Sequence, residues 1–165
     1  MAPAGRGRAA WMSSRMTDYF PMNSQPATLE DAIILAANAH RGQKDKLGKP
    51  YLLHALRVML KQEGETAMMA AVLHDVVEDT PVGLGDLRAA GFSDEVCAAV
   101  DCLTRREGEP YDEFIRRVAR IPIARRIKLA DLEDNMDPRR RLTGDREEQR
   151  QARYLAARET LLAVG

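Results

Sequence analysis

Residues 73–80 read Leu73-His74-Asp75-Val76-Val77-Glu78-Asp79-Thr80. On a helix turning about 100° per residue, His74, Asp75, Glu78 and Asp79 fall within an arc of roughly 140°. His74 then stacks beneath Glu78 and Asp75 beneath Asp79, so an imidazole and three carboxylates share one face. Three anions on one turn repel unless a cation sits among them or water solvates them fully. The apolar residues around them, Ala67–Leu73 with Val76 and Val77, argue against a solvated surface helix. A buried acidic cluster that contains a histidine asks for a metal.

Outward from this stretch the chain reads as helices. Gly64 and Pro81 bound the central one, predicted from Glu65 to about Asp79. Upstream, Thr28 with Asp31 three residues on makes a capping-box start for a helix to about His40. Arg41–Lys49, polar and with two glycines, is a loop. Pro50 suits a first turn, and Tyr51–Lys61 follows. Downstream, Asp86–Ala90 is a short helix ending at Gly91, and Ser93 caps Asp94–Thr104. Pro110 opens a helix to Arg120, and Pro122 another to about Asn135. A turn at Arg139–Arg141 and Gly144 precedes a final amphipathic helix, Arg146–Ala163. No convincing alternating strand appears, so the expected fold is an all-α bundle.

The 165 residues suffice for one domain with a real core. Residues 1–26, rich in Ala, Gly, Ser, Pro and Arg without periodicity, are expected to be a disordered tail, and 27–165 the folded domain. No stretch approaches a membrane span or forms a signal peptide. Lys plus Arg equals Asp plus Glu, 25 each, which gives no signature for nucleic acid or a membrane surface. Cys97 and Cys102 stand in no metal spacing and read as reduced core cysteines of a cytoplasmic protein. Met68 and Met69 read as core.

Only three histidines occur, His40, His54 and His74. His54 and Asp131, on separate helices, join His74 and Asp75 to supply two imidazoles and two carboxylates. Such nitrogen-and-oxygen ligation suits Mn, Fe or Zn. A metal held this way can lower the pKa of a bound water and polarise a phosphoryl oxygen, and an acid such as Glu78 can orient that water or move its proton. Lys44, Lys46, Lys128, Arg125 and Arg126 offer charge to a polyphosphate. His40 reads equally as a metal ligand or as a histidine behind the ligands or at a helix end, and Tyr51 as a base-stacking or a packing ring. Glu133 and Asp134 read as a solvated face, Arg139–Arg141 as a surface turn.

The order His, His-Asp, Asp is that of the HD-domain phosphohydrolases. His40-Arg-Gly-Gln, Pro50-Tyr-Leu-Leu-His54, the 73–80 stretch, Leu103-Thr104 and Lys128-Leu-Ala-Asp-Leu-Glu-Asp-Asn135 follow one another. Together they resemble the hydrolase domain of the RelA/SpoT family, above all its stand-alone small alarmone hydrolases, over about residues 28–140. The resemblance implies an all-helical HD domain that removes the 3′-pyrophosphate of guanosine tetra- and pentaphosphate with one manganese ion. It implies His54, His74, Asp75 and Asp131 as metal ligands, Glu78 and Asp79 as the catalytic acids, and Asn135 as a substrate contact. Lys44, Lys46, Tyr51 and Lys128 complete the expected substrate set. Two positions depart from the family. Asp45 stands where an Arg usually contacts the guanine base, and Leu132 where Arg or Lys usually follows Lys-Leu-Ala-Asp. Nothing downstream is long enough for a synthetase domain, so synthesis is not expected. The expected partner is a small nucleotide, with no nucleic acid or membrane, and the oligomeric state is left open. Asp45 favours a rival, an HD phosphohydrolase for another nucleotide. A metal-binding domain without catalysis is the other, and the Glu78-Asp79 pair speaks against it.

Overall fold

Helix α3, Glu65–Val72, is the centre of the molecule, and its composition says why. Ala67, Met69, Ala70, Ala71 and Val72 are all buried, so the helix is apolar around its circumference and needs neighbours on every side. It receives them from α1 (Leu29–Ala39), α2 (Leu52–Leu60), α6 (Asp94–Leu103) and α8 (Pro122–Met136). Its alanines let these helices approach closely. The computed structural model describes residues 26–164; the expected tail, Pro26 aside, lies outside them. Among the described residues there is no strand, only one isolated bridge between Lys44 and Pro50, and the fold is an all-α bundle, as expected.

The helix boundaries follow local chemistry. Thr28 caps α1, its hydroxyl accepting from the Asp31 N–H at 3.3 Å while Asp31 accepts the Thr28 N–H at 2.8 Å. Ser93 caps α6 through the Val96 N–H at 3.3 Å. Pro122 occupies the first turn of α8, where no N–H is missed. Between them lie α4 (Val76–Asp79), α5 (Leu84–Ala89) and α7 (Tyr111–Ala119). After α8 a 3-10 turn, Pro138–Arg140, leads to α9, Asp145–Leu162, which covers α7 and α8. Cys97 and Cys102 are buried and free. Leu132 is fully buried in the core. No helix among the described residues is long and apolar enough to cross a membrane.

The structure corrects one element. The predicted helix from Glu65 to Asp79 is broken at Leu73-His74-Asp75, and only Val76–Asp79 resumes it. The cause is the histidine. A continuous helix would give the Ala71 carbonyl to the Asp75 N–H; here it accepts from the His74 backbone at 3.4 Å and from His74 Nδ1 at 2.7 Å. Asp75 becomes the N-cap of α4, at φ −103° and ψ −2°.

Candidate metal centre

The break turns His74 inward among elements that are distant in sequence. His54 enters from the first turn of α2, and Asp131 from α8, which packs against α2 and α3. His54, His74 and Asp131 are buried and offer ligand atoms that all lie within 4.8 Å of one another. Asp131 Oδ1 stands 3.1 Å from His54 Nε2 and 3.8 Å from His74 Nε2. Asp75 flanks the trio: its Oδ2 is 2.9 Å from His74 Nε2 and 4.0 Å from His54 Nε2.

The outer nitrogens decide what the inner ones present. His54 Nδ1 lies 2.6 Å from Asp134 Oδ2, and His74 Nδ1 lies 2.7 Å from the Ala71 carbonyl. The nearest partner of each only accepts, Arg140 Nη1 standing farther from His54 Nδ1 at 3.1 Å, so each Nδ1 carries the proton and each neutral ring aims a lone pair from Nε2 at the carboxylates. Lone pairs facing lone pairs need a cation between them. His74 Nε2 is buried and has no hydrogen-bond partner among the described residues, although Asp75 Oδ2 stands 2.9 Å away. Two imidazoles and two carboxylates converging this way fit a divalent metal. With only protons to supply the charge, burial pushes His74 down but Asp75 and Asp131 override it and hold it at about 10. Asp75 is held well below the usual carboxylate range, against burial, by His74.

The remaining predicted residues take distinct places. Lys128 Nζ bonds Asp131 Oδ2 at 2.7 Å and Asn135 Nδ2 bonds Asp131 Oδ1 at 2.7 Å, so both serve the candidate ligand. The Tyr51 hydroxyl donates to Asp75 Oδ2, and its ring packs 4.9 Å from that of His40. His40 Nδ1 pairs with Gln43 Oε1 at 2.7 Å, and its Nε2 is buried with no hydrogen-bond partner among the described residues. Lys46 is tied to Glu147 at 2.7 Å, while Lys44 is exposed. Arg125 bonds the Val164 carbonyl at 2.6 Å and Arg126 is exposed. Glu78 and Asp79 are exposed; Glu78 Oε2 accepts the Arg105 N–H at 3.0 Å. Partial desolvation, with the charges of Asp75 and Glu78, pushes the Asp79 carboxyl up to about 6. Asp45 turns inward, its Oδ1 accepting the Leu47 and Lys49 N–H groups at 2.9 Å each.

Two readings of surface residues are overturned. Asp134 is buried, because it lies three residues from Asp131 and so about 60° from it on the helix, toward α2. Arg140 is buried too, bonded to Asp134 and 3.5 Å from Asp45. Glu133 and Arg139 are exposed as expected. Arg57 also holds Asp134, a role whose sequence signal is its position one turn past His54.

Fold and cluster together define an all-helical HD-type domain with a candidate divalent-metal site. No protein-family model matches the chain. Over 146 residues it is 38% identical to a GTP pyrophosphokinase of Streptomyces coelicolor, covering 81% of this chain and 16% of that protein. Over 159 residues it is 32% identical to the bifunctional (p)ppGpp synthase/hydrolase SpoT of Escherichia coli K12, covering 87% and 21%. A guanosine-3′,5′-bis(diphosphate) 3′-pyrophosphohydrolase of Aquifex aeolicus is 29% identical over 135 residues, covering 74% and 19%. The chain thus spans about a fifth of the length of these curated relatives. A solved structure described as a metazoan ortholog of SpoT that hydrolyzes ppGpp matches with a TM-score of 0.70 at 27% identity, over 87% of this chain and 90% of that one. The chain is a RelA/SpoT hydrolase-like domain of the HD type.

Proposed function

We propose that this domain is a manganese-dependent pyrophosphohydrolase that removes the 3′-pyrophosphate of guanosine polyphosphate alarmones such as (p)ppGpp. Some relatives carry synthase names and others hydrolase names. The observation that favours hydrolysis is the solved SpoT ortholog, described as hydrolyzing ppGpp, of which this chain covers nine-tenths. The convergence of His54, His74 and Asp131 supplies the site such a reaction needs.

In this reading His54, His74, Asp75 and Asp131 hold the cation. When bound, it supplies Lewis acidity toward water and a phosphoryl oxygen. Lys128 and Asn135 fix the two oxygens of Asp131, and the Tyr51 hydroxyl fixes Asp75. Asp79, partly desolvated beside Asp75 and Glu78, takes and returns a proton. Glu78, held by the Arg105 N–H, orients water. Lys44 and Lys46 supply cationic charge for the phosphates, with the Tyr51 ring and Asn135 completing the substrate contacts. Lys46 does so in exchange for its pairing with Glu147.

Asp45 supports a second reading, hydrolysis of a different nucleotide. A buried anion committed to two backbone N–H groups offers no planar cation to a guanine. The test incubates the purified chain and Mn2+ with ppGpp, pppGpp and other nucleotides, resolving products by anion-exchange chromatography. Release of pyrophosphate with GDP or GTP is the expected result. Formation of pppGpp from GTP and ATP, or turnover of another nucleotide alone, would replace it.

A further inference from the structure

The metal reading uses the inner face of His54. Its outer face carries a second construction, which adds Arg57, Asp134 and Arg140, residues that reading leaves idle. His54 and Arg57 lie one turn apart on α2, and Asp131 and Asp134 one turn apart on the facing α8. The imidazole of His54 bridges the two acids: Nε2 is 3.1 Å from Asp131 Oδ1 and Nδ1 is 2.6 Å from Asp134 Oδ2. Arg57 closes the lower end of the ladder, with Nε 2.6 Å from Asp134 Oδ1 and Nη2 3.1 Å from Oδ2. From the 3-10 turn, Arg140 donates to Asp134 Oδ2 and, at 3.2 Å, to the Asp134 carbonyl. Its other arm reaches toward Asp45 in the 41–49 loop. Asp134 is 4% exposed, so its carboxylate answers to these donors and not to water.

We infer that Asp134 is a positioning residue that acts through His54: it fixes the ring orientation and the Nδ1–H tautomer that aim the Nε2 lone pair at the metal centre, with Arg57 and Arg140 clamping its oxygens. A buried charge held by three side chains is an expensive way to join two helices, and apolar residues would serve packing as well or better. What an apolar residue cannot do is accept the Nδ1 proton. Carboxylates in this relation to a ligating imidazole also raise its basicity toward the metal.

The inference rests on His54 being a metal ligand, and the experiment separates the two. Mn2+ binding is measured by calorimetry on the metal-stripped full chain for wild type, Asp134→Ala and Asp134→Asn. Leu161→Ala, a core truncation in α9, serves as a control for lost stability. Co2+ absorption spectra are recorded for all four. We expect Asp134→Ala to weaken Mn2+ binding about 10- to 100-fold and Asp134→Asn by less. Both should shift the Co2+ bands, while Leu161→Ala lowers the Tm and changes neither readout. Equal Kd and equal spectra for wild type and the Asp134 variants would overturn the inference while leaving the metal centre standing. Absence of Mn2+, Zn2+ and Co2+ binding by wild type would remove the centre and the inference with it. Should Asp134→Ala not fold, Asp134→Asn decides alone.

Discussion

At the scale of single residues, Asp79 illustrates a conflict between the site and the fold. Its carboxyl, raised to about 6, binds a proton more tightly in the folded chain than in the unfolded one, where it titrates near 3.8. Ionised Asp79 therefore costs stability, a cost absent below pH ~4 and full above pH ~6. Metal-stripped Asp79→Asn should melt higher than wild type at pH 7, with the gap closing as the pH falls from 6 to 4. The same variant should keep Mn2+ and lose most turnover, which paired melting and product assays will read. An unchanged Tm at pH 7 would mean that the carboxyl is not desolvated as its surroundings imply. The ligand substitutions point the other way. His54→Ala and Asp131→Ala each remove a donor on a different helix and leave buried carboxylates uncompensated, so both should lose bound metal by elemental analysis. Equal occupancy in wild type and both variants would refute the ligand set.

Between residue and molecule, the loop that follows α6 shows how an exposed catalytic candidate is held. Arg117 bonds Glu109 at 2.8 Å and the carbonyls of Cys102 and Thr104 at 2.8 and 3.1 Å, so the segment that presents the Arg105 N–H to Glu78 is braced from α7. Arg117 holds the Glu109 carboxyl down at about 2. That contribution is present above pH ~4.5 and lost as the pH falls through 2. Glu109→Gln should thus melt below wild type at pH 7 and converge with it near pH 2; a gap independent of pH would exclude the ion pair as its source. Elements of this kind were only partly legible in the sequence. Thr28, Ser93 and Pro122 announced their helices because capping is local chemistry, readable within four residues. The break at His74 was not announced. Periodicity places His74 and Glu78 on one face whether or not the helix is continuous, and a side chain bonding its own helix carbonyl leaves no periodic trace. Asp134 was misread for a related reason. A one-turn spacing from Asp131 assigns it to either flank, and only the packing of α8 against α2 selects the buried one.

For the molecule as a whole, the candidate ligands and their supports join α2, the α3–α4 break and α8, while α9 contributes cover and the Glu147 anchor for Lys46. Their positions, 54, 74 and 131, enclose most of the described chain. Stripping the metal should lower the Tm by an amount that grows with the free-ion concentration of the holo sample, because a ligand confined to the native state stabilises it by mass action. Added Mn2+ that leaves the Tm unchanged would argue against a native-state site. The central position of α3 carries a consequence for motion. A helix enclosed on all sides cannot exchange its amide hydrogens with solvent until a neighbour lifts away. A cation tying α2 to α8 across the end of α3 would bar two of those exits at once. Deuterium uptake across 65–72 should therefore slow together with that of 52–60 and 122–136 when Mn2+ is added, as one block, while the far end of α9 exchanges as before.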